Sequence, residues 1–235
     1  MALPHKHTPQ NNKQTLKYDN MNSPVMLGLK RTKHEVICEF RCAEILRAAC
    51  KVFARKGFEG ATVDDIAEAA GLAKGTLYVY FHSKRDLYRA ALKQGIAALI
   101  EETQRDLDAA PTPAEKIRAF VAARLRFAEQ HRDFVAIYQA EFGNLNPACC
   151  HKEIKNLYSQ QVAPLEAALQ EASIDGQVRP IRAATAAFFV FELTCALITR
   201  RLLGWSRASV DEDARLLFNL IWNGLAHEEA ACITS

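Results

Sequence analysis

The chain has 235 residues, 49% of them hydrophobic and 24% charged, and carries a formal net charge of +3. That is apolar enough to fill real cores, and the absence of repeats or low-complexity tracts argues against a fibrous or disordered protein. The charge is uneven, with 15 Lys and Arg against 9 Asp and Glu in residues 1–90 and 15 against 18 in the rest, so a polyanionic partner is expected for the first part only.

Residues 1–33 are rich in Asn, Lys, His, Thr and Pro without periodicity and read as a disordered basic extension. From His34 onward apolar residues recur at three- and four-residue spacing, and strand-like alternation is absent. The first helix is expected from about Glu35 to Lys56, with Ile45, Leu46, Ala49, Val52 and Phe53 in one stripe, ending at Gly57. Thr62, with Asp65 three residues later, starts a second helix that stops at Ala70-Gly71. A third covers Ala73 to Tyr80. Ser83 then caps a long fourth helix that runs to about Asp108, with Asp86 at the capping-box position. Pro111 and Pro113 interrupt the pattern. Further helices are expected at Ala114–Gln130, Arg132–Phe142, Ala148–Ala172, Ile181–Leu203 and Val210–Glu228, with Pro164 kinking the third of these. The fold class is all-α, with about nine helices. The domains expected are the extension 1–33, a DNA-binding domain 34–90 whose linking helix continues to about 108, and a helical domain 91–235.

The stretch Thr62 to Tyr80 has the physics of a helix-turn-helix: two short helices meet sharply across a turn that Gly71 makes possible. Ala67 is small where the helices would cross, and Ile66, Leu72 and Leu77 are spaced to share a core with Phe53 and Phe81. The second helix then exposes Lys74, Gly75, Thr76, Tyr78 and Tyr80, side chains suited to base edges and phosphates. The run Ile45–Leu87, ILRAACKVFARKGFEGATVDDIAEAAGLAKGTLYVYFHSKRDL, closely resembles the amino-terminal domain of the tetracycline-repressor (TetR) family of transcriptional regulators, down to its Tyr-Phe-x-Ser-Lys-x-x-Leu tail at Tyr80–Leu87. The resemblance implies that Lys74, Gly75 and Thr76 face bases in the major groove, and that Thr62, Tyr78, Tyr80 and Lys84 clamp phosphates. Many relatives have histidine where this chain has Tyr80; either side chain can donate to a phosphate. Residues 1–33 exceed the usual family extension. They read as an idle or misassigned segment, with Met21 or Met26 as alternative starts, or as an arm whose Lys30, Arg31 and Lys33 reach a minor groove.

One recognition helix reads only a few base pairs, so a symmetric dimer on a palindromic operator in double-stranded DNA is expected. Two apolar stripes offer an interface. One comprises Ala187, Phe191, Thr194, Ile198 and Leu202; the other Val210, Ala214, Leu217, Phe218, Ile221 and Leu225. Four such helices from two subunits would form a bundle. The family pattern further implies a sensor pocket within residues 114–172. Phe120, Phe127, Phe134, Tyr138, Phe142 and Tyr158 would line it, and Arg124, His131, Gln139 or Glu141 would supply polar contacts to a small hydrophobic or amphipathic effector.

Other signals point away from further chemistry. His34, Cys38 and Cys42 share a helix face but lack the fourth ligand of a closed zinc site, so neither metal nor cofactor is expected. Cys149-Cys150-His151 lies near a helix start where a thiolate could be stabilised. The seven cysteines form no CxxC pair, which favours a reducing, cytoplasmic setting. No signal peptide is evident. The longest apolar patch, Ala183 to Ile198, is interrupted by Glu192 and Thr194 and reads as too short to span a membrane. The expectation is a homodimeric, ligand-released repressor and not an enzyme. The alternatives are an architectural DNA binder without a ligand, or an enzyme with a vestigial helix-turn-helix, for which no catalytic constellation is visible.

Overall fold

A computed structural model describes residues 32–142 and 152–225. Among these, every regular element is a helix: α1 (Lys33–Gly60), α2 (Val63–Ala69), α3 (Lys74–Tyr80), α4 (Lys84–Asp108), α5 (Pro113–Gln130), α6 (Arg132–Phe142), α7 (Lys152–Ile174), α8 (Ala183–Leu202) and α9 (Val210–Leu225). The chain divides into two compact units, one ending at Ala91 and one starting at Leu92, and α4 gives residues to both.

Local chemistry sets the boundaries in the first unit. The Thr32 hydroxyl accepts from the Glu35 amide, and the Glu35 carboxylate accepts from the Thr32 amide, so α1 begins with a full capping box. Gly57, at φ 69°, breaks α1 where the sequence placed its end, although one more turn follows to Gly60. Gly71 sits at φ 66°. Its amide donates to the Glu68 carbonyl, and the Leu72 amide to the Ala67 carbonyl, a Schellman ending that a residue with a Cβ would adopt only under strain. Ile45, Leu46, Ala49, Phe53, Ile66, Ala67, Leu77, Phe81 and Leu87 form the core. Phe53, Phe58 and Tyr88 complete it with ring centroids 5.1–6.0 Å apart.

In the second unit α5 is the central helix, packed by α6, α7, α8 and α9. It therefore buries several faces at once: Ile117, Phe120, Val121, Arg124, Leu125, Phe127 and Ala128 are all enclosed. Thr112 caps it and Pro113 occupies its first turn, the position where a missing N–H costs nothing. Helix α7 continues through Pro164 to Ile174. Its expected first residues, 148–151, lie outside the described residues, as do residues 1–31 with Lys30 and Arg31, and the Cys149-Cys150-His151 cluster.

Helix α8 differs from the sequence expectation. With a mean hydropathy of 1.5 it is long and apolar enough, by length and composition, to cross a membrane. Its inner residues Ala187, Val190, Phe191, Thr194 and Ile198 are nevertheless buried against the rest of the unit. At its end Arg201 pairs with Glu129 of α5 and Asp213 of α9 and donates to the Ala208 carbonyl, which ties the 203–209 connection to the core.

Candidate nucleic-acid interface and effector site

The α2–α3 pair is built to present α3. Thr62 caps α2: its hydroxyl accepts from the Asp65 amide at 3.1 Å, and the Asp65 carboxylate accepts from the Thr62 amide at 3.0 Å. Asp65 also meets the Lys56 ammonium at 2.8 Å. The Lys56 contact, with the hydrogen bonds from Thr62, holds the Asp65 carboxyl down at about 2. Leu77 is fully enclosed and fixes the rotation of α3. That rotation turns Lys74, Gly75, Thr76 and Tyr78 to solvent, so four of the expected DNA-facing residues share one exposed strip. Thr62 is exposed as well, and its hydroxyl hydrogen is left over from the cap.

Lys74 is not bare. Its ammonium donates to Asp64 at 2.8 Å, and this contact raises its pKa. Both groups are exposed, so a base or phosphate would compete with Asp64 on nearly equal terms.

Two of the expected phosphate clamps are placed differently. The Lys84 ammonium donates to the carbonyls of Phe58, Glu59 and Ala61 at 2.7, 3.2 and 3.0 Å, and it lies 4.5 Å from the centroid of the Phe58 ring. An ammonium has three hydrogens, and all three close the end of α1. In the chain alone Lys84 is therefore a buckle for the α1–α2 turn, with its donors turned to these carbonyls. Tyr80 is half-buried; burial, and the neighbouring Cys38 and Cys42 of α1, raise its hydroxyl pKa.

In the second unit Phe120, Phe127, Phe134 and Tyr138 are all buried. The last three run as a chain of rings, Phe127 to Phe134 at 5.8 Å and Phe134 to Tyr138 at 5.7 Å. Arg124, only 3% exposed, lies among them. It donates to Gln161 Oε1 at 3.1 Å, and its guanidinium sits 4.5 Å from the Phe191 ring centroid and 5.4 Å from that of Phe120. Its Nε has no partner, and neither has the buried Tyr158 hydroxyl, whose pKa burial and the nearby Glu192 push up to about 12. His131 departs from expectation: it is exposed at the end of α5, against the Phe127 ring at 4.2 Å. Glu141 and Gln139 are half-buried, and Gln139 donates to Thr199. The Phe142 side chain lies outside the described residues. Gln161 and Cys195, whose sulfur meets the Arg124 guanidinium, were missed by sequence reasoning, because a glutamine and a cysteine on two apolar helices carry no local signature.

The expected dimer stripes lie wholly or partly inside their own unit. Phe191, Ile198, Leu217 and Ile221 are buried within the unit, and Leu202, Phe218 and Leu225 are half-buried. The three- and four-residue spacing found the face that packs inward onto α5 and α7. The opposite faces are also apolar. Phe188, Phe189 and Leu193 on α8, Leu216 and Leu220 on α9, and Leu203 and Trp205 between them are 45–71% exposed. A helix apolar on nearly all sides signals two buried faces, and for α8 that signal was present in the adjacent Phe188-Phe189.

Comparison with known proteins accords with this architecture. Residues 45–91 match the family of bacterial regulatory proteins, tetR family, and residues 110–199 match the tetracyclin repressor-like C-terminal domain. The HTH-type transcriptional repressor KstR2 of Mycolicibacterium smegmatis is 32% identical over 137 residues, 58% of this chain and 67% of the relative. The uncharacterised HTH-type transcriptional regulator YfiR of Bacillus subtilis is 30% identical over 169 residues, 69% and 80% of the two chains. Among solved structures, the transcriptional regulator FadR from Bacillus subtilis in complex with stearoyl-CoA aligns with a TM-score of 0.70 at 21% identity, over 78% of this chain and 98% of that one. The ketosteroid transcriptional regulator KstR2 of Mycobacterium tuberculosis aligns with a TM-score of 0.66 at 24% identity, over 80% and 96%. At these identities the structures speak to the fold.

Proposed function

The chain belongs to the TetR family of DNA-binding transcriptional regulators, and from that premise we propose that it is a homodimeric repressor released from a palindromic operator by a small amphipathic effector. The observation that carries the DNA half is the exposed strip Lys74, Gly75, Thr76 and Tyr78 on a helix whose rotation is locked by buried Leu77. Lys74 would exchange Asp64 for a guanine edge, Gly75 would allow close approach, and Thr76 would meet a thymine methyl. Thr62 and Tyr78 would hold phosphates. Lys84 acts one step back, by fixing the turn that carries Thr62.

The effector half rests on the buried ring cluster around Arg124. FadR is crystallised with stearoyl-CoA and KstR2 is described as a ketosteroid regulator; bulky apolar bodies with a polar end fit the same description of lining. Binding would favour a subunit arrangement in which two recognition helices no longer match successive major grooves. A preference of a few kcal/mol, about 5.5 for a swing from one extreme of occupancy to the other, is sufficient. The outer faces of α8 and α9, with the connection between them, are the surfaces proposed to join the subunits, because seven large apolar side chains there are exposed in the single chain.

Selection of binding sites from random duplex DNA should return a palindrome. On that site Lys74→Ala should weaken binding by about 1–3 kcal/mol and relax sequence preference. Thr62→Asp keeps a good helix cap but sets a negative charge against phosphate, so affinity should fall with stability unchanged. Unaltered affinity in both variants would remove α3 as the reading helix.

A further inference from the structure

We propose that Arg124 is the anchor for a single compact anion, a carboxylate, carried by the apolar effector, with the Tyr158 hydroxyl as second donor; this rests on the effector reading above. Arg124 stands on α5, the central helix of its unit, and is 3% exposed. A guanidinium is a permanent cation with five N–H donors. Burying it costs on the order of several kcal/mol unless its charge is met and its donors are used.

Among the described residues the charge is not met by an acid and the donors are used only in part. No carboxylate forms an ion pair with Arg124 among the described residues; its acceptors are neutral, the Gln161 amide oxygen at 3.1 Å, the Tyr138 hydroxyl and the Cys195 sulfur. The Phe191 and Phe120 rings meet the guanidinium at 4.5 and 5.4 Å, which offsets part of the cost through ring quadrupoles. Nε still has no partner. A second unused donor lies beside the same ring: Tyr158 packs on Phe191 with centroids 5.0 Å apart, and its enclosed hydroxyl bonds nothing. A tyrosine hydroxyl is protonated at neutral pH, so it is a donor there.

Two donors without a partner, and a guanidinium without an acid paired to it among the described residues, thus lie around one ring, that of Phe191. A water or a ketone would satisfy the donors but leave the charge. A carboxylate satisfies both, and charge-assisted hydrogen bonds are the stronger kind. One guanidinium matches one negative charge, which selects a monocarboxylate over a polyphosphate. The apolar surroundings select a hydrocarbon body, and a linear acyl chain or a polycyclic skeleton could each supply it.

The test uses the full chain, with dodecanoate and lithocholate as the linear and polycyclic acids and their methyl esters as neutral controls. Binding is followed by thermal shift and calorimetric titration in wild type, Arg124→Gln and Tyr158→Phe. At least one acid should bind wild type about tenfold or more above its ester, and Arg124→Gln should erase that preference. Tyr158→Phe should weaken acid binding about tenfold or more, the worth of one hydrogen bond to a charged group, while moving ester binding less; it carries the test alone should Arg124→Gln fail to fold. Equal binding of acid and ester, a preference that survives Arg124→Gln, or no binding by any of the four compounds would overturn the anion site. Acid binding that leaves DNA affinity unchanged supports the anion site and sinks the effector reading. Release of DNA by ester and acid alike does the reverse.

Discussion

Lys84 illustrates how far a residue's role depends on where its atoms end up. By its place in the family motif it is a phosphate clamp, yet its ammonium closes the carbonyl ends of α1 at Phe58, Glu59 and Ala61. Lys84→Met, which keeps the stem, should therefore cost about 1–3 kcal/mol of stability through orphaned acceptors. The check is urea unfolding set beside operator affinity corrected for folded fraction. A large loss of corrected affinity with no loss of stability would return Lys84 to the phosphates. Arg124 teaches the converse. Its type and position marked it for the pocket, but nothing local revealed that it would be buried against a neutral amide and a ring, because Gln161 and Phe191 reach it from helices 37 and 67 positions away.

At the scale of elements, caps and breakers were legible because they act through hydrogen bonds spanning three or four residues. Thr62 and Asp65 form the capping box on α2, and Gly71 adopts the positive φ that the turn requires. The box also titrates. Asp65 is pulled from 3.8 to about 2 by Lys56 and Thr62; a depressed folded pKa gives stability that is present above the unfolded value. That contribution should fade as pH falls from about 4 towards 2, and Asp65→Asn should remove the pH-dependent part in acid titrations of unfolding. Helix-to-helix fit was not legible. Gly95 lies inside α4, where glycine is a poor helix former, and a Cβ there would fall within the Phe134 ring of α6. Gly95→Ala should lower the melting temperature by an overpacking cost of about 1–3 kcal/mol, and adding Phe134→Leu should recover much of it. A rise in melting temperature, from better helix propensity alone, would mean the ring yields freely.

At the scale of the whole molecule the subunit surface is the point at issue. Leu217 and Leu220 are three residues apart on α9, yet one is 7% exposed and the other 66%. Leu217→Ala should destabilise the fold by about 2–5 kcal/mol through cavity formation. Leu220→Glu should leave the fold intact and yield monomers in sedimentation equilibrium, with loss of operator binding. If Leu220→Glu stays dimeric, the outer faces of α8 and α9 are not the interface.

The sequence by itself determined the all-α class, the helix-turn-helix between Thr62 and Tyr80, and the family, since periodicity, capping and a motif of over forty residues are local properties of the chain. Tertiary structure decided which side of each apolar helix faces inward, which groups Lys84 and Tyr80 meet, and that Arg124 is buried with no ion pair among the described residues. The reason is physical. A three- and four-residue repeat states that a helix has an apolar face, but only the neighbours that cover it decide which face, and which donors go unmet.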